Sequence, residues 1–211
     1  MTGNRRVLAG FCLRLIVGYM VLAAPWPGLA AVYSRIFATC FDYMTYGVFE
    51  DDGLFGTDAM VRLYPIADDD WTHDLQLVIG NRSTKALTDR PRASSRHLGY
   101  VPAIVLLCLV LATPLSRSRR LSALLWGELW VHVFIAIRVG LALAYAFHGD
   151  HPYCVYSLGP VAARALFLAY DVVSAEPVIS YVVPVLIWVT TAFRGEDLAR
   201  FADAERANVA S

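Results

Sequence analysis

A chain of 211 residues that is 57% hydrophobic, with a mean hydropathy of +0.50, is too apolar for an ordinary soluble domain of its size. Its 18 basic and 18 acidic residues cancel, and no basic face interleaved with aromatics is present, which excludes nucleic acid as a partner. Four cysteines at Cys12, Cys40, Cys108 and Cys154 form no CxxC pair, so the zinc-ribbon and thioredoxin-like motifs are excluded, and no cofactor or metal is expected.

Crossing the hydrocarbon core of a bilayer takes about 20 apolar residues in a helix, because the backbone finds no water to bond there. The pattern predicts an all-α integral membrane protein with four transmembrane helices. The first lies within residues 1–32, most apolar from Leu15 to Ala24 and closed by Pro25-Trp26-Pro27-Gly28. The others are predicted over 98–115, 121–147 and 177–193, the last with a kink at Pro184. Short loops rich in arginine stay in the cytoplasm. Arg5, Arg6 and Arg14 precede the first span, Arg117, Arg119 and Arg120 join the second to the third, and Arg194 follows the fourth. Four spans put all three clusters on one side, with both termini in the cytoplasm of a bacterial inner membrane, a setting that the near-exclusive use of arginine over lysine also suits. A cleaved signal peptide over the first segment is the alternative, since Arg5-Arg6, an apolar run and Gly28-Leu29-Ala30-Ala31 match its three regions.

Residues 33–97 read as a small β-containing extracytoplasmic segment. Val61, Leu63 and Ile66 mark one strand, Leu75, Leu77 and Ile79 a second, and Asp68-Asp69-Asp70 the turn of the hairpin. A hairpin is marginal alone and would lean on the helices or on a partner. Near 160–174 an amphipathic helix with Leu166, Phe167 and Leu168 is predicted at the outer interface, and 194–211 reads as a cytoplasmic tail.

Ionisable groups at membrane depth are costly, so Glu128, His132 and Arg138 in the third span are the first suspects for function. At about 100° per residue one polar arc holds all three, as a proton relay, a polar ligand site or a buried contact with a partner helix, or as a Glu–Arg pair with a hydrogen-bonded histidine that locks packing. Outside the span, Cys154 with His148, His151 and Arg164 nearby is the minimum for a thiolate nucleophile. Against that stands a disulfide between Cys154 and Cys40, which the topology puts on the same oxidising side. The acidic run at 68–70 is a solvated turn lacking the spaced ligands of a calcium loop. Asn81-Arg82-Ser83 is a formal glycosylation sequon that carries little meaning in a bacterial chain.

Gly99-Tyr100-Val101-Pro102 at the start of the second span, Ala112-Thr113-Pro114 at its end, Ala169-Tyr170 and the closing Pro184-Val185-Leu186-Ile187-Trp188 together resemble the small membrane proteins associated with exosortases, bacterial enzymes that process proteins bearing a C-terminal sorting helix. The resemblance implies an accessory protein and not the enzyme, because Val155 and Tyr156 follow Cys154 where exosortases carry Cys-Ser-Gly. The function expected is a non-catalytic interaction subunit in contact with membrane lipid and an integral membrane partner. A membrane thiol enzyme using Cys154 and a small transporter component with Glu128 in its path are the alternatives.

Overall fold

A computed structural model describes residues 2–24, 26, 28–49, 58–66, 74–89, 93–174 and 178–193. The fold is mostly helical with one small sheet. In chain order come α1 (Thr2–Ala23), α2 (Leu29–Phe49), β1 (Ala59–Pro65), β2 (Leu75–Asn81), β3 (Ala86–Asp89), a π-helical turn (Arg96–Tyr100), α3 (Val101–Ala112), α4 (Arg117–Phe147), α5 (Pro160–Ser174) and α6 (Val178–Ala192). The acidic runs 50–52 and 68–70, the side chains of Arg5 and Arg6, Arg194 and the tail lie outside the described residues.

Among the described helices, α4 alone is long and apolar enough by length and composition to cross a membrane, and α5 with α6 makes a second if the two form one broken span. The helices over the other expected spans are shorter: Leu8–Ala23 and Arg96–Ala112 are the apolar stretches there. α3 continues directly from the π-helical turn, so the missing N–H of Pro102 leaves a carbonyl of that turn without a helical donor, and α3 stops before Thr113-Pro114 because the residue ahead of a proline avoids helical geometry.

Two compact units are formed by the chain. One contains α1, α3, the first half of α4 and most of α6. Here the α3 residues Leu106, Cys108 and Val110 and the α4 residues Ala123 and Val131 are buried. Gly127 makes the close approach possible, since a Cβ at that position would stand 2.7 Å from Cδ2 of Leu106. The Trp188 indole N–H donates to Oγ1 of Thr113 at 2.9 Å, and Thr113 donates to the Leu109 carbonyl at 2.6 Å. Arg119 and Arg120, in the first turn of α4, donate at 3.3 Å to the carbonyl of Ala192, which ends α6 and lacks an intrahelical donor, and to that of Leu115 in the α3–α4 connection.

The second unit holds α2, the sheet, the π-helical turn, the second half of α4 and α5. Its sheet is antiparallel in the order β1-β2-β3, with Val61 opposite Ile79, Leu63 opposite Leu77, and Ile79 opposite Thr88. Along β1 the inward positions Ala59, Val61 and Leu63 alternate as the period of a strand requires, and with Leu75 and Ile79 of β2 they are buried against Ala38 and Phe41 of α2 and Leu143 and Phe147 of α4. Fully burying one such Val, Leu, Ile or Phe contributes about 1.5–3 kcal/mol. The Asp74 carboxylate accepts from the backbone N–H of Ser95 at 2.8 Å and from the Ser95 hydroxyl, and backbone bonds pair Leu75 with Ala93, so the chain entering the π-helical turn is tied to the end of the sheet.

Three expectations for this region are corrected. The segment 33–97 begins as a helix, since α2 runs through Phe49. The hairpin is joined by a third strand through a turn in which Lys85 takes a φ of 53°. Cys40 and Cys154 are free thiols, and the bridge considered between them is not formed. The helix at Pro160–Ser174 and the pairing of the first two strands agree with the expectation.

Candidate functional site

The polar residues of α4 divide into two places. Taking about 100° per residue, the helix buries the arc that carries Ala123, Gly127, Val131, Ile135 and Arg138 and exposes the opposite arc with Leu121, Leu125, Trp126, Leu129 and Trp130. Glu128 and His132 lie on the edge of the exposed arc, their side chains 31% and 68% exposed. His132 Nδ1 is 2.7 Å from the Glu128 backbone carbonyl, the tautomer with hydrogen on Nδ1 donating, and 3.9 Å from Oε2 of the same residue. This is a local pair, one turn apart on the helix surface.

Arg138 goes elsewhere. Ten residues along a helix is about 15 Å of rise, beyond the reach of an ion pair with Glu128, so the expected single arc splits. The Arg138 side chain is 3% exposed. Its Nη1 donates to the carbonyl of His97 at 3.2 Å and to the hydroxyl of Ser180 at 3.1 Å, and Ser180 donates to the same carbonyl at 3.0 Å. That carbonyl belongs to the π-helical turn, in which the Val101 N–H reaches back five residues to Arg96; the residue five on from His97 is Pro102, which has no N–H to give. The turn is admitted closely by Gly99, where a Cβ would stand 2.5 Å from the Tyr33 hydroxyl and 2.8 Å from the Phe37 ring.

Beside Arg138 lies a cavity of about 270 Å³ walled by Phe37 and Phe41 of α2, Leu63 and Leu77 of the sheet, Leu143 of α4 and Tyr170 of α5. Tyr170 is stacked on Tyr145 with centroids 4.5 Å apart and planes within 8°, which fixes one wall. Sequence reasoning does not find this cavity, because its walls come from six elements, Leu98 of the π-helical turn included, and no spacing along the chain encodes their meeting.

Among the described residues no hydrogen bond joins the Cys154 thiol to His148 or His151. Cys154 is half-buried in the loop after α4, its N–H bonded to the His151 carbonyl at 2.9 Å and its own carbonyl accepting from Asn81 Nδ2 at 2.7 Å. The His151 ring stacks on Tyr153, and His148 Nδ1 accepts the Leu158 N–H at 3.2 Å. Arg164 is exposed on α5, and among the described residues no hydrogen bond or ion pair joins it to Cys154 or His151. Tyr156 donates to the Ala144 carbonyl. Burial pushes its phenol above the ordinary value, and the nearby Cys154 thiolate pushes the same way. Among the described residues no group of three or more His, Cys, Asp or Glu is arranged to hold a metal ion.

Compared with protein families, with curated proteins and with solved structures, the chain finds no match.

Proposed function

We propose that this chain is an integral protein of the bacterial inner membrane that acts as a non-catalytic accessory subunit, docking another membrane protein on the outward face of α4, and that the partner is an exosortase-type sorting enzyme. The membrane part of the reading rests on exposure. A long apolar helix at the centre of a soluble protein is mostly buried, whereas only 22% of the most apolar 18-residue window of α4 is buried here. At about 1.5 Å per residue its 31 residues reach about 46 Å, enough to cross a bilayer with tilt and project beyond it. In the four-span arrangement α1, α3 and α6 accompany α4, with the arginines between α3 and α4 on the cytoplasmic side and the sheet outside.

The partner part rests on one observation, the Glu128–His132 pair on the edge of an otherwise apolar exposed surface. Ionisable side chains facing lipid are expensive, and where they stand on a helix surface they are characteristically met by polar groups of a neighbouring helix. Leu125 and Leu129 beside the pair supply the apolar surround of such a contact. Affinity purification of the tagged protein from membranes in mild detergent tests this. Glu128→Leu is expected to reduce recovery of the partner while leaving the amount of this protein in the membrane unchanged; equal loss of both would replace the docking role with a folding role. Retained recovery of the same partner would remove the pair from the interface.

A further inference from the structure

A groove of about 480 Å³ lies between α1 and α3, and none of its lining residues belongs to α4, so it is separate from the Glu128–His132 surface. Two contacts fix the direction of the helices. Phe11 of α1 stacks on Trp188, whose indole bonds Thr113 just past the end of α3, while a Cβ at Gly18 would stand 3.5 Å from Cys108 Sγ. Moving from Phe11 to Gly18 along α1 is thus moving from Thr113 back to Cys108 along α3. The two helices are antiparallel, and the Arg14 end of the groove lies toward the α3–α4 connection, which the membrane reading puts on the cytoplasmic side. Leu13, Val17 and Leu22 wall the groove from α1 and Leu111 from α3, and Leu13, Val17 and Leu111 are exposed. Arg14 is the one charged side chain among the described residues that line it. It is exposed and makes no hydrogen bond or ion pair with any described residue.

From Arg14 to Leu22 the helix rises about 12 Å, against about 15 Å for the hydrocarbon depth of one leaflet. An apolar trough of that length with a cation at its cytoplasmic end is complementary to an acyl chain carrying an anionic head. Arginine matches phosphate oxygens through parallel N–H donors, and basic side chains at this level attract anionic lipid. No carboxylate lines the groove to receive the ammonium of a zwitterionic lipid, so charge complementarity favours a head group with net negative charge. We propose that this groove holds an anionic phospholipid of the cytoplasmic leaflet, its phosphate on Arg14 and one acyl chain along α1 and α3. The inference rests on the membrane reading of the chain and adds to it a lipid class and a place.

The experiment reconstitutes the full chain in liposomes of equal phosphatidylglycerol and phosphatidylethanolamine, extracts it in mild detergent and weighs it intact by native mass spectrometry. One phosphatidylglycerol per chain is expected to stay bound, in about fivefold preference over phosphatidylethanolamine, the worth of one arginine near an anionic surface. Arg14→Gln should remove the preference, whereas Arg117→Gln, at an exposed arginine outside the groove, should keep it, both with native elution and helicity. Leu22→Trp, about two helical turns from Arg14, narrows the apolar end and should reduce retention of both lipids. Glycerol 3-phosphate in excess should displace neither. Equal retention of the two lipids, a preference that survives in folded Arg14→Gln or falls equally with Arg117→Gln, undiminished retention by Leu22→Trp, or displacement by glycerol 3-phosphate would each overturn the proposal. So would a protein, in place of lipid, retained through Arg14. Flotation with the liposomes separates the two readings: a chain that does not float overturns the membrane reading and this inference with it, and a chain that floats without the preference overturns this inference alone.

Discussion

Arg138 and Ser180 are hydrogen-bonded at 3.1 Å across 42 residues of sequence, and both donate to the single carbonyl of His97. Loss of the Ser180 hydroxyl removes two hydrogen bonds, the one from Arg138 and the one to His97, and leaves the carbonyl served by Arg138, whereas loss of the guanidinium removes the charge-assisted bonds and leaves the carbonyl served by Ser180. Ser180→Ala is therefore expected to lower stability by about 1 to 2 kcal/mol, and Arg138→Leu by roughly 2 to 3 kcal/mol because the bonds it loses are made by a charged donor. Unfolding midpoints in mild detergent check the order; equal effects would show that the hydroxyl, and not the cation, organises the cluster.

Gly127 and Leu106 provide a test of the packing between α3 and α4. Gly127→Ala places a methyl 2.7 Å from Leu106 Cδ2 and should destabilise by roughly 1 to 3 kcal/mol. Leu106, which is fully buried, should cost roughly 2 to 5 kcal/mol as Leu106→Ala. In the double variant the new methyl occupies part of the vacated space, so the combined loss should fall short of the sum. Additive losses would show that the two side chains do not meet.

Asn81 fastens the loop after α4 to the sheet. Its Nδ2 donates to the Cys154 carbonyl at 2.7 Å while its Oδ1 accepts from the Ser83 N–H at 2.9 Å, and Thr84 donates to the Pro152 carbonyl at 2.6 Å. Asn81→Ala should cost roughly 1 to 3 kcal/mol and speed the labelling of Cys154 by a thiol reagent, since the loop is released. Cys154→Ser should leave the fold and partner recovery intact, and a partner-processing activity that disappears with Cys154→Ser would restore the thiol-enzyme reading.

Tyr156 predicts an alkaline response. Its phenol is held above the ordinary value of 10.0, first by burial and then by the Cys154 thiolate, so the folded state favours the neutral form. The stability that this group contributes is fully present below about pH 10 and is lost as pH rises through the folded value. Tyr156→Phe should be less stable than the parent below pH 10, having lost the bond to the Ala144 carbonyl, with the difference narrowing at higher pH. Cys154→Ser should bring the tyrosine titration down toward the ordinary value. Unfolding midpoints between pH 8 and 12, with ultraviolet titration of the phenolate, measure both.

The parts of the fold legible in the sequence are those governed by local period. Leu75, Leu77 and Ile79 alternate as a strand, and Pro160–Ser174 is amphipathic and opens on a proline. The helix α2 was hidden although its buried positions Ser34, Ala38, Phe41 and Thr45 follow a helical 4-3-4 spacing. Two of the four are small hydroxyl residues, whose side chains bond the helix's own carbonyls, Thr45 to Phe41 at 2.9 Å, so the stripe does not read as apolar. The strand β3 is hidden because Asn81-Arg82-Ser83 reads as a sequon, whereas the Asn81 side chain builds the turn that precedes the strand. Arg138 was read against Glu128 on its own helix, and its observed partners are 41 and 42 residues away, a distance at which spacing carries no information.

The central claim, that the Glu128–His132 edge of α4 meets another protein while the rest of the exposed arc meets lipid, is tested most directly by a photo-crosslinking amino acid placed in membranes of living cells at Leu125 or at Trp130. Leu125 lies about 20° from His132 around the helix and Trp130 about 160° from it, and both replacements leave the polar pair intact. A discrete protein adduct from position 125, with lipid adducts alone from position 130, is the expected result. Lipid adducts alone from both positions would contradict the docking surface, and adducts to neither lipid nor protein would contradict the membrane reading itself.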